Sequence, residues 1–134
     1  MTTASATVPA VALRGVSVAY GLVDGGRYEA VQPVDVSVAD GEFVAILGPT
    51  GCGKSTLLNI AAGLMPPSSG ESLIFGAKLS GLNTVAGYLF QQDALMPWKT
   101  SRDNVAIGLE VRGASRADAL RLADAFLRKV GLAS

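Results

Sequence analysis

The run Gly48-Pro-Thr-Gly-Cys-Gly-Lys-Ser55 constrains this 134-residue chain more than any other feature. It satisfies G-x-x-x-x-G-K-[ST], with the apolar run Glu42–Leu47 before it and the helix-forming run Gly53–Ala62 after it. Gly51 and Gly53 let the backbone curl, so that successive N–H groups converge at a helix start, where an anion is favoured. Gly48, Pro49, Thr50, Cys52 and Thr56 complete the lining of the loop. Lys54 is positioned to reach β- and γ-phosphates, and the Ser55 hydroxyl to coordinate Mg²⁺. A chance match in a chain of this composition arises roughly one time in a hundred, which weighs against a Gly-rich turn that binds nothing.

The flanking patterns place the loop in an α/β chain. Val11–Tyr20 alternates as a strand, and Gly21–Arg27 is a Gly-rich turn. Val34, Val36 and Val38 alternate with Asp35, Ser37 and Ala39, giving a half-buried strand. Glu42–Leu47 is almost continuously apolar, which predicts a strand covered on both faces. Gly63 caps the helix after the loop, and Pro66 and Pro67 prevent its continuation. Glu71–Phe75 and Val85–Phe90 read as short strands. A short helix is predicted from Ser101 to about Leu109, and Ser115-Arg-Ala-Asp118 opens another. That last helix carries an apolar stripe of Leu120, Ala123, Leu127 and Val130, an i,i+4 pair Asp124–Arg128, and Gly131 as a cap.

Composition removes several functions. Lys+Arg and Asp+Glu are 11 each, so no basic excess draws the chain to nucleic acid. The absence of His excludes Ser-His-Asp triads, Cys-His dyads and His-ligated zinc. Cys52 is the single cysteine, so no intrachain disulfide forms; inside the loop it reads as a small filler rather than a redox centre. No apolar run approaches the roughly 18 residues of a membrane span. Residues 1–10 lack the charged start and apolar middle of a signal peptide and read as a flexible tail, so the default address is cytoplasmic. Only 16% of residues are charged, against about 25% in typical soluble domains, which suggests that part of the surface is covered by a partner.

The stretch Gly41–Thr56, continued by Leu57–Leu64 and then by Gly87–Trp98, resembles the ATP-binding subunit of an ABC transporter. Leu95-Met-Pro-Trp98 looks most like the nitrate, sulfonate and taurine importer group. The resemblance implies an incomplete P-loop NTPase core of ABC ATPase type over residues 11–134. It would have N-terminal β-strands, the P-loop at 48–55, a Q-loop near 91, and the start of a helical subdomain over 101–132. It implies ATP and Mg²⁺ as cofactors, with Lys54 and Gln91 catalytic and Gln91 touching Mg²⁺ beside Ser55. Gln92 leaves that register open by one, and a plain loop amide is the bland alternative. Tyr20 would stack on adenine, with Tyr28 a second candidate and an ordinary strand-end aromatic the alternative. The implied partners are an integral membrane permease, a second ATP-binding subunit and a solute-binding protein, at the inner face of the cell membrane. Leu95–Trp98 either meets the permease or packs internally.

Three parts of the family pattern are missing: an LSGGQ-type signature, an apolar run ending in Asp-Glu, and a switch His. Leu79-Ser80-Gly81 echoes the signature on the wrong side of the Q-loop and reads as a loop. The resemblance thus covers the N-terminal part of a longer ATPase, and this chain alone is expected to hydrolyse ATP slowly or not at all. Exposed apolar surface at Glu42–Leu47 and marginal stability follow. Two other readings stay open: a non-catalytic nucleotide-binding or permease-docking module, and a different P-loop ATPase such as a kinase or DNA-repair ATPase.

Overall fold

A computed structural model describes residues 8–92 and 94–132; residues 1–7 of the expected tail and Asp93 lie outside the described residues. The chain divides into two compact units, Met1–Tyr88 and Leu89–Ser134.

The first unit is an antiparallel sheet with one helix against it. Strand β1 (Val11–Gly21) pairs with β2 (Arg27–Val38) on one side and β3 (Ser69–Ile74) on the other, and β4 (Ala77–Lys78) extends β3. The strand order is β2-β1-β3-β4, with every pairing antiparallel. Strand β2 is longer than the valine alternation predicted, starting at Arg27. The turn before it tightens to Leu22–Gly26, closed by the Leu22 N–H donating to the Gly26 carbonyl at 2.8 Å. Pro33 is tolerated inside β2 because β2 is an edge of this sheet, where a missing N–H disrupts no second ladder.

Helix α1 (Lys54–Ala61) buries Leu57 and Ile60, which join Leu13, Val16, Val18 and Val31 in the core, with Met65 packed alongside. The three-residue spacing of Leu57 and Ile60 puts both on one helix face. Gly63 ends the helix as expected: its N–H donates to the Ile60 carbonyl, and the Leu64 N–H to that of Asn59.

Two expected strands are not formed. Glu42–Leu47 and Val85–Phe90 run as irregular chain, with Phe43 95% and Leu89 97% exposed. Apolar β-formers create a strand only when another backbone lies beside them to complete the ladder. Among the described residues neither segment enters a strand ladder.

The second unit contains α2 (Ser101–Val111) and α3 (Arg116–Lys129). Thr100 and Ser115 cap them, each accepting the N–H of the aspartate three residues on. The helices meet over Ala106, Ala119 and Ala123, with Leu109 and Leu120 beside them. The buried stripe is therefore rotated from the expected one: Ala119 enters it, and Val130 leaves it at 68% exposure. Asp124 also differs from expectation. Both its oxygens accept from Arg102 of α2 at 2.6 Å, where an i,i+4 bond to Arg128 was predicted. The bidentate guanidinium holds the Asp124 carboxyl below the usual carboxylate range. Arg116 similarly bridges Asp103 and Glu110, both at 2.6 Å.

Candidate functional site

The loop between Gly48 and Gly53 is shaped by its glycines. Gly51 has φ +83° and Gly53 φ +94°, both in the region where side-chain-bearing residues are strained. Gly53 is also pressed against β2: a Cβ there would lie 2.6 Å from Val31 Cγ2 and 3.3 Å from the Ala30 carbonyl oxygen. At Gly48, a Cβ would meet Cys52 Sγ at 2.7 Å.

Helix α1 begins directly at Lys54, with no side-chain cap and no acidic residue in its first turn. The Leu57 N–H is bonded to the Gly53 carbonyl. The N–H groups ahead of it, on Lys54, Ser55 and Thr56, open the helix and carry the positive end of its dipole. A cavity of about 170 Å³ at this point is lined by Ala30, Gly51, Gly53, Lys54, Ser55 and Thr56. Five of the sequence-predicted residues, Gly51, Gly53, Lys54, Ser55 and Thr56, thus line one anion-sized recess, with Cys52, Pro49 and Thr50 on the exposed turn beside it.

The Lys54 ammonium donates to the loop's own carbonyls, at 2.8 Å to Gly48 and 2.7 Å to Pro49, and lies 3.6 Å from Cys52 Sγ. It closes the loop on itself. Phosphate oxygens are charged acceptors and compete for such an ammonium more strongly than neutral carbonyls do. The Ser55 side chain is exposed beside it. Among the described residues no group of three or more His, Cys, Asp and Glu could hold a metal ion. The donor set fits Mg²⁺ carried by phosphates and water, with one protein hydroxyl added.

Tyr20 lies near the end of β1, opposite Tyr28 of β2 in the register. Its hydroxyl approaches Met65 Sδ at 3.9 Å. Ala30 and Val31 were not singled out in the sequence, and no residue-type signal points to them, because what brings them to the site is the close approach of β2 to the loop at Gly53. Gln91 and Gln92 are exposed in an irregular segment of the second unit. Trp98 is 78% exposed and Leu95 66%, on a turn that Asn104 ties together through Met96, Lys99 and Thr100. Internal packing of this apolar stretch is therefore not what the second unit adopts. No helix among the described residues is long and apolar enough to cross a membrane.

The profile of a family described as "ABC transporter" matches residues 31–134. A taurine import ATP-binding protein of Pseudomonas aeruginosa is 45% identical over 108 residues, covering 81% of this chain and 41% of that protein. Its counterpart in Roseobacter denitrificans is 38% identical over 122 residues, covering 91% of this chain and 46% of the relative. The chain thus spans somewhat under half the length of these curated relatives. Among solved structures, the ATP-binding cassette MJ0796, dimeric and bound to ADP and Pi in a post-hydrolysis state, aligns with TM-score 0.75 at 34% identity. That alignment covers 84% of this chain and 53% of the cassette.

Proposed function

The chain belongs to the ABC transporter family, and from that premise we propose that it binds Mg-ATP at the Gly48–Thr56 loop as part of an ATP-binding subunit. The subunit would couple ATP binding and hydrolysis to solute import through a membrane permease, with a second ATP-binding subunit and a solute-binding protein in the assembly. Nitrate, sulfonate or taurine-like solutes are the substrate class in this reading, and the names of two relatives, taurine import ATP-binding proteins, favour taurine among them. Its place is the cytoplasmic face of the membrane. Residues 11–134 act in this reading as a partial ATP-binding domain.

The observation that carries the proposal is the Lys54 ammonium, held at 2.8 and 2.7 Å by the loop carbonyls above an acid-free helix start. Bound nucleotide supplies the phosphates, and Mg²⁺ the charge that joins them. The chain's own residues do the positioning. Lys54 would exchange the Gly48 and Pro49 carbonyls for phosphate oxygens, the opening N–H groups of α1 would donate to those oxygens, and the Ser55 hydroxyl oxygen would be offered to the cation. Gln91 is assigned to the cation and the attacking water, and Tyr20 to the base. The sequence contains no adjacent Asp-Glu pair and no His to orient that water, so this chain is proposed to bind ATP far better than it hydrolyses it. The exposed Leu95–Trp98 turn is assigned to the permease, which an aromatic anchor suits.

Equilibrium dialysis with Mg-ATP on the whole chain and on Lys54→Ala tests the reading. Saturable binding is expected, weakened by about tenfold or more in the variant, the scale of a lost charge-assisted hydrogen bond. Equal affinity in the two proteins, or no saturable binding, would refute it.

A further inference from the structure

We infer that the gap between the end of α1 and strand β3 binds a small neutral molecule with a compact apolar body and one hydrogen-bonding group. The gap has a volume of about 470 Å³, within the range of small-molecule sites. It lies at the opposite end of α1 from the phosphate loop, and its apolar walls include Ile60, Met65, Pro67 and Leu79.

Its floor holds an orphaned polar group. Ser72 is 6% exposed, and its hydroxyl is the one buried side-chain polar atom without a hydrogen-bond partner among the described residues. The strand register fixes where that hydroxyl points. Ser72 stands directly opposite Leu13 of β1, in a stretch free of register shifts. Directly opposed residues share a face, and Leu13 packs in the core with Ile60. The hydroxyl therefore faces the gap beside Ile60. The Ser72 carbonyl is already taken by the Leu79 N–H at 2.8 Å. A buried hydroxyl left unmade is costly, and a ligand group that meets it recovers that cost. Charge is kept away from this point. Glu71 stands opposite Arg14 and pairs with it at 3.8 Å, and Lys78 stands opposite Leu73. Alternation along β3 puts both on the face away from Ser72. A charged ligand would thus give up its water with no ionised partner in return. Water itself is poorly held, since it needs about two to four polar partners and Ser72 is the one lining side chain that turns a polar group inward.

The gap is also braced against collapse. Gly63, which ends α1, meets the Gly81 carbonyl with no room for a Cβ. Asn83 donates from its backbone N–H to the Ala62 carbonyl at 2.9 Å, and from its side chain to that of Ala61 at 3.1 Å. On the other side Gly70 is seated on the Arg14 and Gly15 carbonyls, again with no room for a Cβ. Both edges rest on backbone, so the space between them is preformed.

The experiment titrates phenol, toluene and benzoate into the whole chain and into Ser72→Ala, following the methyl resonances of Ile60, Met65 and Leu79 by NMR. Phenol and toluene match in size and differ in one hydroxyl, whereas benzoate adds a charge. Phenol and toluene should both move these methyls saturably, with affinities of about millimolar, and benzoate should not. Ser72→Ala should weaken phenol roughly three- to tenfold, the scale of one net hydrogen bond. Toluene should bind the variant no more weakly than the parent, which also shows that the gap survives the change. Absence of saturable shifts in the parent would overturn the inference, as would benzoate binding as well as phenol. Phenol unaffected by Ser72→Ala, or equal losses for phenol and toluene, would overturn it too.

Discussion

Replacing Gly53 by Ala tests whether the loop is held by its approach to β2 as well as by its backbone conformation. The left-handed φ of +94° costs an L-residue about 1–2 kcal/mol. The new methyl would also sit 2.6 Å from Val31 Cγ2. Val31 is buried in the core and β-branched, so it cannot rotate aside cheaply, and overpacking of this kind adds about 1–3 kcal/mol. The combined cost, roughly 2–5 kcal/mol, is a large share of the stability of a small domain. Gly51→Ala is the control: its φ is +83°, but nothing lies within 4 Å of the added Cβ, so only the conformational part applies. In a double-mutant cycle, Val31→Ala should return the overlap part, giving a favourable coupling of about 1–3 kcal/mol with Gly53→Ala. Hydrogen exchange of β1 and β2 peptides, read against urea concentration, reports the stability of the first unit. If Gly53→Ala costs no more than Gly51→Ala, or if Val31→Ala shows no coupling to it, the close approach is not what the loop depends on.

Three further outcomes follow from the same geometry. Iodoacetamide should alkylate the exposed Cys52 and abolish ATP binding, and Mg-ATP should slow the reaction; equal rates with and without nucleotide count against the loop as its site. Phe75 has φ +47° and is followed by Gly76 at φ +79°, an Asn-Gly type of turn, so Phe75→Asn should stabilise the first unit by about 1 kcal/mol, seen as a higher urea midpoint. Asp103, Asp118 and Asp124 are held below the usual carboxylate range by hydrogen bonds from Thr100 and Arg116, from Ser115 and Arg121, and from Arg102 respectively. Depressed carboxyls contribute stability that is present above their unfolded value near about 4 and is lost as pH falls through the folded values. Helicity of α2 and α3 should therefore melt at lower temperature at pH 2–3 than at pH 6, with the difference shrinking in Asp124→Asn.

What could be read from the chain alone depended on how local its cause was. The loop, α1 and the caps at Ser115 and Gly63 were legible because each is specified by residues within a few positions of one another. The Ser115 hydroxyl and the Asp118 N–H need only a turn of chain between them. The partner of Asp124 was misjudged for the opposite reason, since Arg102 is 22 residues away on another helix. Glu42–Leu47 carried every mark of a covered strand, yet a strand is completed by a neighbouring backbone, and composition does not say whether one is there. At the site, the spacing of Gly48 to Ser55 announced phosphate chemistry. The resting contact of Lys54 with the Gly48 and Pro49 carbonyls, and the closeness of Ala30 and Val31, are properties of the folded path and left no mark in residue type.

The unpaired Glu42–Leu47 segment has a practical side. Phe43 and Leu47 are 95% and 89% exposed, with Val44 and Ile46 partly open between them. Six residues rich in β-formers, with one charge and no proline, have the make-up of a segment that stacks on copies of itself. Asp40-Gly41 before it and Gly48-Pro49 after it act as gatekeepers, limiting how far such stacking can spread along the chain. Self-association through this segment is then the expected outcome at raised concentration, with the fold still intact. Light scattering should rise with concentration well below the melting temperature, and a single Phe43→Lys change should suppress it while the phosphate loop keeps its form.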